Sequence, residues 1–230
     1  MRHATKSSAL AALKAKGLAV PTILDIGISA GTPDLMIHFP KVTHLLFEPV
    51  AEFRANIERI YARIPHELFT VAVSDSDGET ELAVKSVMEG VEITHARMHD
   101  GSGTNSAQSR RVPMISLDSF MSRRSDPGPF LLKIDIDGDE LKVLKGAENV
   151  LKQCAAVILE LHTTDFFERS SFLLDRKFRL FDIVDLCYYD QGLAQVDGVF
   201  FNPAIMGGID VIANFDIKLW QNERAILKPG

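Results

Sequence analysis

The sequence predicts an α/β fold with a mostly parallel sheet, helices on both faces and an antiparallel hairpin strand near the C-terminal end. Segments with strand character alternate with segments of helical pattern along most of the chain, as in parallel sheets built from βαβ units. The segment 130–136 is almost continuously apolar, which is typical of a strand buried on both faces. Hydrophobic residues make up 46% of the 230 residues, enough for the core that such a sheet needs.

Turn and capping residues divide the chain into its predicted elements. Pro33 suits the first turn of a helix that ends before Pro40, and Asp77-Gly78 predicts a turn between two paired strands. Asp190-Gln-Gly192 predicts the turn of the C-terminal hairpin. The predicted strands are 22–27, 44–49, 68–73, 79–87, 130–136, 155–161, 179–189 and 194–201. The predicted helices are 7–16, 34–39, 51–63, 117–124, 139–153 and 166–177.

Composition and charge argue against several classes of protein. The formal net charge is -6, whereas a nucleic-acid binder usually carries a basic face. Cys154 and Cys187 lie in apolar stretches without metal-binding spacing, which is typical of small buried side chains. No apolar run approaches the roughly 18 residues of a membrane span, and the N-terminus lacks a signal-peptide pattern, so we expect a cytoplasmic location.

The length suits one α/β domain with additions. We expect an N-terminal helix within 1–20, the main domain at 21–203, and a C-terminal extension at 204–230 that the pattern does not assign. Residues 88–112 are polar, and a polar loop of this length inside a compact domain is usually functional or mobile. We therefore predict a polar insertion there that covers a substrate.

The segment after the first strand has the pattern of a ligand-binding loop. Asp25, Gly27, Ser29 and Gly31 stand at alternate positions before a helix start, where backbone N–H groups form a cradle. Glu48 ends the second strand about 20 residues further on, where an acid is placed to bind ribose hydroxyls. The loop has neither the G-x-G-x-x-G dinucleotide pattern nor a phosphate-binding Gly-Lys-Ser/Thr. The charge of Asp25 would repel a pyrophosphate and favour an amine or a sulfonium.

Two carboxylates follow the buried strand at 130–136. Asp135 and Asp137 are two positions apart, so they face the same side if the strand persists, at the edge where open α/β sheets bind ligands. They could serve one acceptor as a general base, or Asp137 could instead cap the helix that follows. Lys133, inside the same strand, needs a partner acid if it is buried.

Polar residues at the end of the next strand leave further interpretations open. Glu160, with Asp135 and Asp137, could bind Mg²⁺ through oxygen, although the site we predict contains no metal. His162 follows Glu160 and is a third candidate for catalysis. A lone histidine at a strand end is more often structural, so both readings of His162 stay open.

Several short motifs between about residues 20 and 203 carry a resemblance to a known family. They are Asp25-Ile-Gly27, Phe47-Glu-Pro49, Ala72-Val-Ser-Asp75, Gly101-Ser-Gly103, Ser116-Leu-Asp118, Lys133-Ile-Asp-Ile-Asp-Gly138, Glu140, Leu144-Lys-Gly146 and Glu160. Together they resemble the FkbM family of class I S-adenosylmethionine-dependent methyltransferases, and the motif that begins at Lys133 is the most specific. Two positions depart from the family pattern, since Ser29 replaces the usual Asn and Asp137 replaces the usual Glu.

The resemblance implies a seven-stranded Rossmann-like domain that transfers a methyl group from S-adenosylmethionine to a hydroxyl of a saccharide or natural-product-type molecule. It implies that the glycine loop holds the methionine half of the cofactor, Glu48 the ribose, and the end of the third strand the adenine. The predicted cofactor-binding residues are Asp25, Gly27, Ser29, Gly31, Glu48, Ser74 and Asp75. The predicted catalytic residues are Asp135, Asp137 and His162.

Two other functions are compatible with this topology. One is a non-catalytic module that keeps the fold and binds cofactor or a partner, which the intact glycines and Glu48 argue against. The other is a nicotinamide-dependent oxidoreductase, which the displaced glycine pattern argues against. The sequence does not predict an oligomeric state.

Overall fold

A computed structural model describes residues 3–85, 95–98 and 108–207, with eleven strands and eight α-helices in those ranges. The strands are β1 (Thr22–Ile26), β2 (Thr43–Phe47), β3 (His66–Phe69), β4 (Ala72–Ser74), β5 (Gly78–Lys85), β6 (His95–Met98), β7 (Gln108–Ser116), β8 (Phe130–Ile134), β9 (Cys154–His162), β10 (Arg179–Tyr189) and β11 (Gly192–Phe201). The helices are α1 (Lys6–Ala15), α2 (Pro33–His38), α3 (Arg54–Ile60), α4 (Leu117–Met121), α5 (Glu140–Lys145), α6 (Glu148–Leu151), α7 (Phe166–Asp175) and α8 (Pro203–Met206).

The central sheet has seven strands in the order β10-β11-β9-β8-β1-β2-β3. Five of them, β1, β2, β3, β8 and β9, run parallel, and β11 runs antiparallel to both β9 and β10. This confirms the predicted sheet and its C-terminal hairpin. Because β2 and β8 flank β1 on opposite sides, the carboxyl ends of these three strands form the crevice where open α/β sheets bind ligands.

Helices cover both faces of this sheet, as predicted, because side chains alternate along each strand. Every residue of β1 and of β8 is buried. Leu24 and Leu132 point into a core that also holds apolar residues of α4 to α7. Ile23 and Leu131 point into the opposite core, which includes Leu10 of α1 and other residues of α1 and α2.

A second, four-stranded sheet in the order β4-β7-β5-β6 was not predicted. The prediction of one strand at 68–73 is wrong, because the chain leaves the central sheet after β3 and enters the second sheet as β4. β5 pairs with β7 and β6, not with 68–73 as the Asp77-Gly78 turn suggested. Part of the interval predicted as a polar loop, 95–98 and 108–112, is strand, and the rest of it lies outside the described residues.

Asp77 gives a physical reason for this pairing. Its carboxylate accepts hydrogen bonds from the Ser116 backbone N–H at 3.0 Å and from the Ser119 hydroxyl at 2.5 Å. These bonds tie the turn that follows β4 to the end of β7 and the start of α4. β5 therefore returns alongside β7, and a contact between residues far apart in sequence overrides the local hairpin signal.

Two predicted helices are interrupted. The segment predicted as 51–63 is a 3-10 turn at Ala51–Phe53 followed by α3. The segment predicted as 139–153 breaks into α5 and α6 at Gly146, where a Cβ would overlap the Ser74 carbonyl because the two backbones are in direct contact. Among the helices in the described ranges, none has the length and apolar character needed to cross a bilayer.

Candidate active site

A cavity of about 350 Å³ opens at the carboxyl ends of β1, β2 and β8. Its volume lies within the range of small-molecule sites. Six of the predicted site residues line it: Gly27, Ser29, Gly31, Glu48, Asp135 and Asp137. The cavity thus joins the loop after β1 to the acid after β2 and to the two acids after β8.

The loop after β1 has a backbone conformation that its small residues permit. Gly27, Ser29 and Gly31 have φ values of 75°, 44° and 110°, in the left-handed region that favours glycine. A Cβ on Gly27 would overlap the carbonyl of Asp135, so the backbones that follow β1 and β8 are in close contact at this point. The glycine pattern read from the sequence therefore reflects close packing of two strand ends as well as access for a ligand.

Glu48 connects the loop to the end of β2. Its carboxylate accepts the backbone N–H of Ser29 at 2.8 Å and that of Val50 at 2.9 Å. Only 5% of Glu48 is exposed, and this burial raises the pKa of its carboxyl, while the two N–H bonds oppose the shift. Each oxygen accepts one of these bonds and keeps further acceptor capacity toward the cavity.

Lys133 and Asp25 form a buried ion pair beneath the loop. The Lys133 ammonium lies 3.5 Å from Asp25 Oδ1 and 3.4 Å from Asp135 Oδ2, and it donates to the Gly27 carbonyl at 2.6 Å. Burial disfavours the charge, but Asp135 and Asp25 more than offset this and raise the pKa of Lys133. The expectation that Lys133 pairs with nearby carboxylates is confirmed.

Asp25 itself does not reach the cavity wall. Its side chain is 0% exposed, and neither carboxylate oxygen accepts a hydrogen bond from the residues the structure describes. Its contact is the ammonium of Lys133. Asp25 thus supports the floor of the loop, and any effect on a ligand would pass through Lys133 and Gly27.

Asp135 and Asp137 line the same cavity although the strand does not persist between them. β8 ends at Ile134, and Asp137 has a φ of 61°, so a left-handed turn carries its side chain to the wall. The N-cap of α5 is Asp139, which removes the interpretation of Asp137 as the helix cap. Two carboxylates at one wall can orient or deprotonate a bound hydroxyl.

Besides Asp25, three of the predicted residues do not line the cavity. Ser74 is buried with its carbonyl against Gly146, and Asp75 is exposed in the turn after β4, where it accepts a bond from the Ser76 hydroxyl. His162 ends β9, with Nε2 3.5 Å from Glu160 Oε2. His162 is not among the residues that line the cavity, unlike Asp135 and Asp137.

The magnesium interpretation finds no support in the geometry. Within the described ranges, no group of three or more His, Cys, Asp or Glu side chains is arranged to hold a metal ion. Glu160 instead accepts a hydrogen bond from Nε2 of Gln195, on the neighbouring strand β11, at 2.7 Å.

Several cavity residues were not identified from the sequence. Apolar side chains form one part of the wall beside Glu48, namely Phe53, Val71, Ala72, Val73 and Leu82. Lys6, at the start of α1, also reaches the cavity and lies 2.7 Å from Asp197 Oδ2. No local pattern marks Lys6, because its position depends on how α1 packs on β10 and β11.

The order and directions of the strands in the central sheet define a Rossmann-like class I methyltransferase fold. A family model described as "Methyltransferase FkbM domain" matches residues 25–180. The chain belongs to this family of methyltransferases, as the sequence motifs predicted.

Comparisons with individual proteins give more distant similarities. The chain is 27% identical over 138 residues to the hexuronic acid methyltransferase AglP of Haloferax volcanii. The aligned region covers 60% of this chain and 54% of AglP. The chain thus matches about half the length of this curated relative.

Two solved structures are similar at low identity. The N-methyltransferase NodS of Bradyrhizobium japonicum WM9 has 11% identity and a TM-score of 0.47, covering 86% of this chain and 94% of NodS. Sp1610 of Streptococcus pneumoniae, a putative tRNA (m1A22) methyltransferase in complex with S-adenosyl-L-methionine, has 11% identity and a TM-score of 0.43, covering 97% of this chain and 89% of that one.

Proposed function

We propose that this protein transfers the methyl group of S-adenosylmethionine to a hydroxyl of a saccharide or natural-product-type small molecule. The observation that carries the proposal is a single cavity with two different walls. One wall has Glu48 and the glycine loop, which suit a nucleoside, and the other has Asp135 and Asp137, which suit a hydroxyl. Methyl transfer needs both ligands in one space.

The residues of the cavity fit the cofactor. Glu48 is buried, hydrogen-bonded and at the wall, so its remaining lone pairs can accept ribose hydroxyls. The apolar residues beside it, Phe53 and 71–73, suit the faces of adenine. Backbone around Gly27 to Gly31 suits the methionine portion, and the nearby carboxylates suit a sulfonium.

S-adenosylmethionine supplies an activated methyl group on a sulfonium, and the chain's own residues align the acceptor and take its proton. Alignment can provide much of the rate of an in-line displacement. We assign proton removal from the acceptor hydroxyl to the pair Asp135 and Asp137. Asp135 is oriented by its ion pair with Lys133, and Asp137 lies beside it on the wall. His162 would act only on an acceptor that extends beyond the cavity toward β9.

Two observations support a saccharide acceptor. A wall with two carboxylates is suited to hydrogen-bonding vicinal hydroxyls. The Haloferax volcanii relative is named for a hexuronic acid, which is a sugar acid. A methyl-transfer screen over sugars, nucleotide sugars and glycolipids would identify the acceptor.

Ligand binding to the purified protein tests the proposal. S-adenosylmethionine and S-adenosylhomocysteine should raise the melting temperature, whereas NADH should not. Glu48→Ala should weaken S-adenosylhomocysteine binding on the order of 10-fold to 100-fold, the effect of losing hydrogen bonds to a charged group. Glu168→Ala, at an exposed acid on α7, serves as the control.

Lack of stabilisation by either sulfur nucleoside would refute the proposal. Binding without methyl transfer to any member of the acceptor panel would favour the alternative, a non-catalytic module with a methyltransferase fold.

A further inference from the structure

We propose that Glu140 and Arg169 are positioning residues that hold the turn at 136–138 and thereby keep Asp137 at the cavity wall. The structural part of this inference stands alone. Its consequence for methyl transfer rests on the proposed function.

The carboxylate of Glu140 binds the backbone of the turn at 136–138. Glu140 is fully buried, and its Oε1 accepts the backbone N–H groups of Ile136 and Gly138, each at 3.1 Å. These two N–H groups flank Asp137, whose φ of 61° is unfavourable for a residue with a Cβ. Such a conformation persists only where its surroundings fix it, and Glu140 supplies that constraint on both sides.

Arg169 of α7 holds Glu140 in turn. Its guanidinium lies 2.7 Å from Glu140 Oε2 and 2.6 Å from Asp165 Oδ2, and only 2% of the residue is exposed. It also donates to the Gly138 carbonyl at 3.2 Å and to the Glu160 carbonyl at 3.0 Å. One side chain therefore joins the turn after β8, the end of β9 and the first turns of α5 and α7.

Packing alone does not require charges here. A buried ion pair is often no more stabilising than apolar side chains of similar volume. Apolar side chains could pack α5 against α7, but they could not accept two backbone N–H groups and donate to two carbonyls in the same place. The polar arrangement matches the needs of the turn, so the role we infer is to set the geometry of Asp137.

Glu140→Asp tests the constraint, because it keeps the charge but withdraws the carboxylate by one methylene. Hydrogen exchange measured by NMR should become faster at the Ile136 and Gly138 amides, on the order of 10-fold or more, while amides within β8 stay unchanged. Glu148→Asp is the matched control, since Glu148 pairs with Arg176 between the same helical layers at the surface, with Arg176 Nε 2.8 Å from Glu148 Oε2.

If Glu140→Asp does not fold, Glu140→Gln replaces it, because the amide oxygen can still accept N–H bonds while the charge facing Arg169 is lost. That variant should accelerate exchange at the same two amides to a smaller extent. Unchanged exchange at Ile136 and Gly138 in the folded variant would overturn the inference, whatever the protein catalyses.

A functional measurement separates positioning from general stability. With the acceptor on which the wild type is active, Glu140→Asp should lower kcat on the order of 100-fold, the cost of a displaced catalytic group, with S-adenosylhomocysteine affinity kept. In an Asp137→Ala background the same substitution should have no further effect on kcat. Additive losses would show that Glu140 does not act through Asp137. If the wild type does not bind S-adenosylhomocysteine, the proposed function is refuted. The hydrogen-exchange test of Glu140 is not affected by that outcome.

Discussion

Replacing Glu160 with Gln should reduce the loss of stability that this protein undergoes as pH rises. Glu160 is 4% exposed, and among the described residues its carboxyl accepts one hydrogen bond, from Gln195 to Oε1, while Oε2 has no hydrogen-bond partner. Burial, followed by the negative charges of nearby carboxylates with Asp135 first among them, raises the pKa of Glu160 from 4.5 to about 9. The folded protein therefore keeps a proton that the unfolded chain releases.

The sign and size of the effect follow from this difference. Between pH 4.5 and about 9 the folded state binds one more proton than the unfolded state at Glu160, so the free energy of unfolding falls as pH rises. One proton corresponds to as much as about 1.4 kcal/mol per pH unit, or up to about 3 kcal/mol between pH 6 and pH 8. The Gln variant has no such proton, and its amide oxygen can still accept the Gln195 bond.

Urea unfolding of both proteins at several pH values from 6 to 8 measures this contribution. The difference between the two slopes measures the contribution of Glu160 together with the neighbouring carboxylates that share its environment. Glu168→Gln, which removes an exposed acid on α7, controls for the change in net charge. Parallel slopes for the wild type and Glu160→Gln would refute the reasoning, because Glu160 would then be ionised in the folded state at neutral pH.

Two further substitutions test the packing around the cavity. Lys133→Met should lower the free energy of unfolding by about 3–5 kcal/mol, because it leaves the buried Asp25 carboxylate unpaired; a loss under about 1 kcal/mol in urea titrations would contradict the ion pair. Gly146→Ala should cost about 1–3 kcal/mol through overlap with the Ser74 carbonyl. Gly192→Ala, where a Cβ would lie 3.6 Å from its nearest neighbour, should change stability little, and equal losses in the two Ala variants would argue against the close contact.

Local patterns were enough to predict that the glycine loop and Glu48 come together at one cavity. The loop from Gly27 to Gly31 and the acid Glu48 follow directly after two parallel strands, and adjacent parallel strands bring their carboxyl ends together. Asp135 and Asp137 follow a third strand, so they reach the same edge by the same rule. Here position along the chain determines position in space.

Other features depend on contacts between distant residues. The sequence of β3 and β4 is typical of one strand, and the hydrogen bonds that Asp77 accepts from Ser116 and Ser119 give a reason for its division between two sheets. Asp25 has the signature of a ligand residue, yet its side chain is committed to Lys133.

By itself, then, the sequence determined the central sheet, the family, and the loop and acids that line the cavity, because strand periodicity, glycine conformation and strand-end acids act over a few residues. Three features were decided only by the tertiary structure. They are the second sheet, the position of Lys6 at the cavity, and the contacts of Glu140 and Arg169 with the turn that carries Asp137. These depend on side chains brought together from separate helices and strands, and no short segment of the chain contains that information.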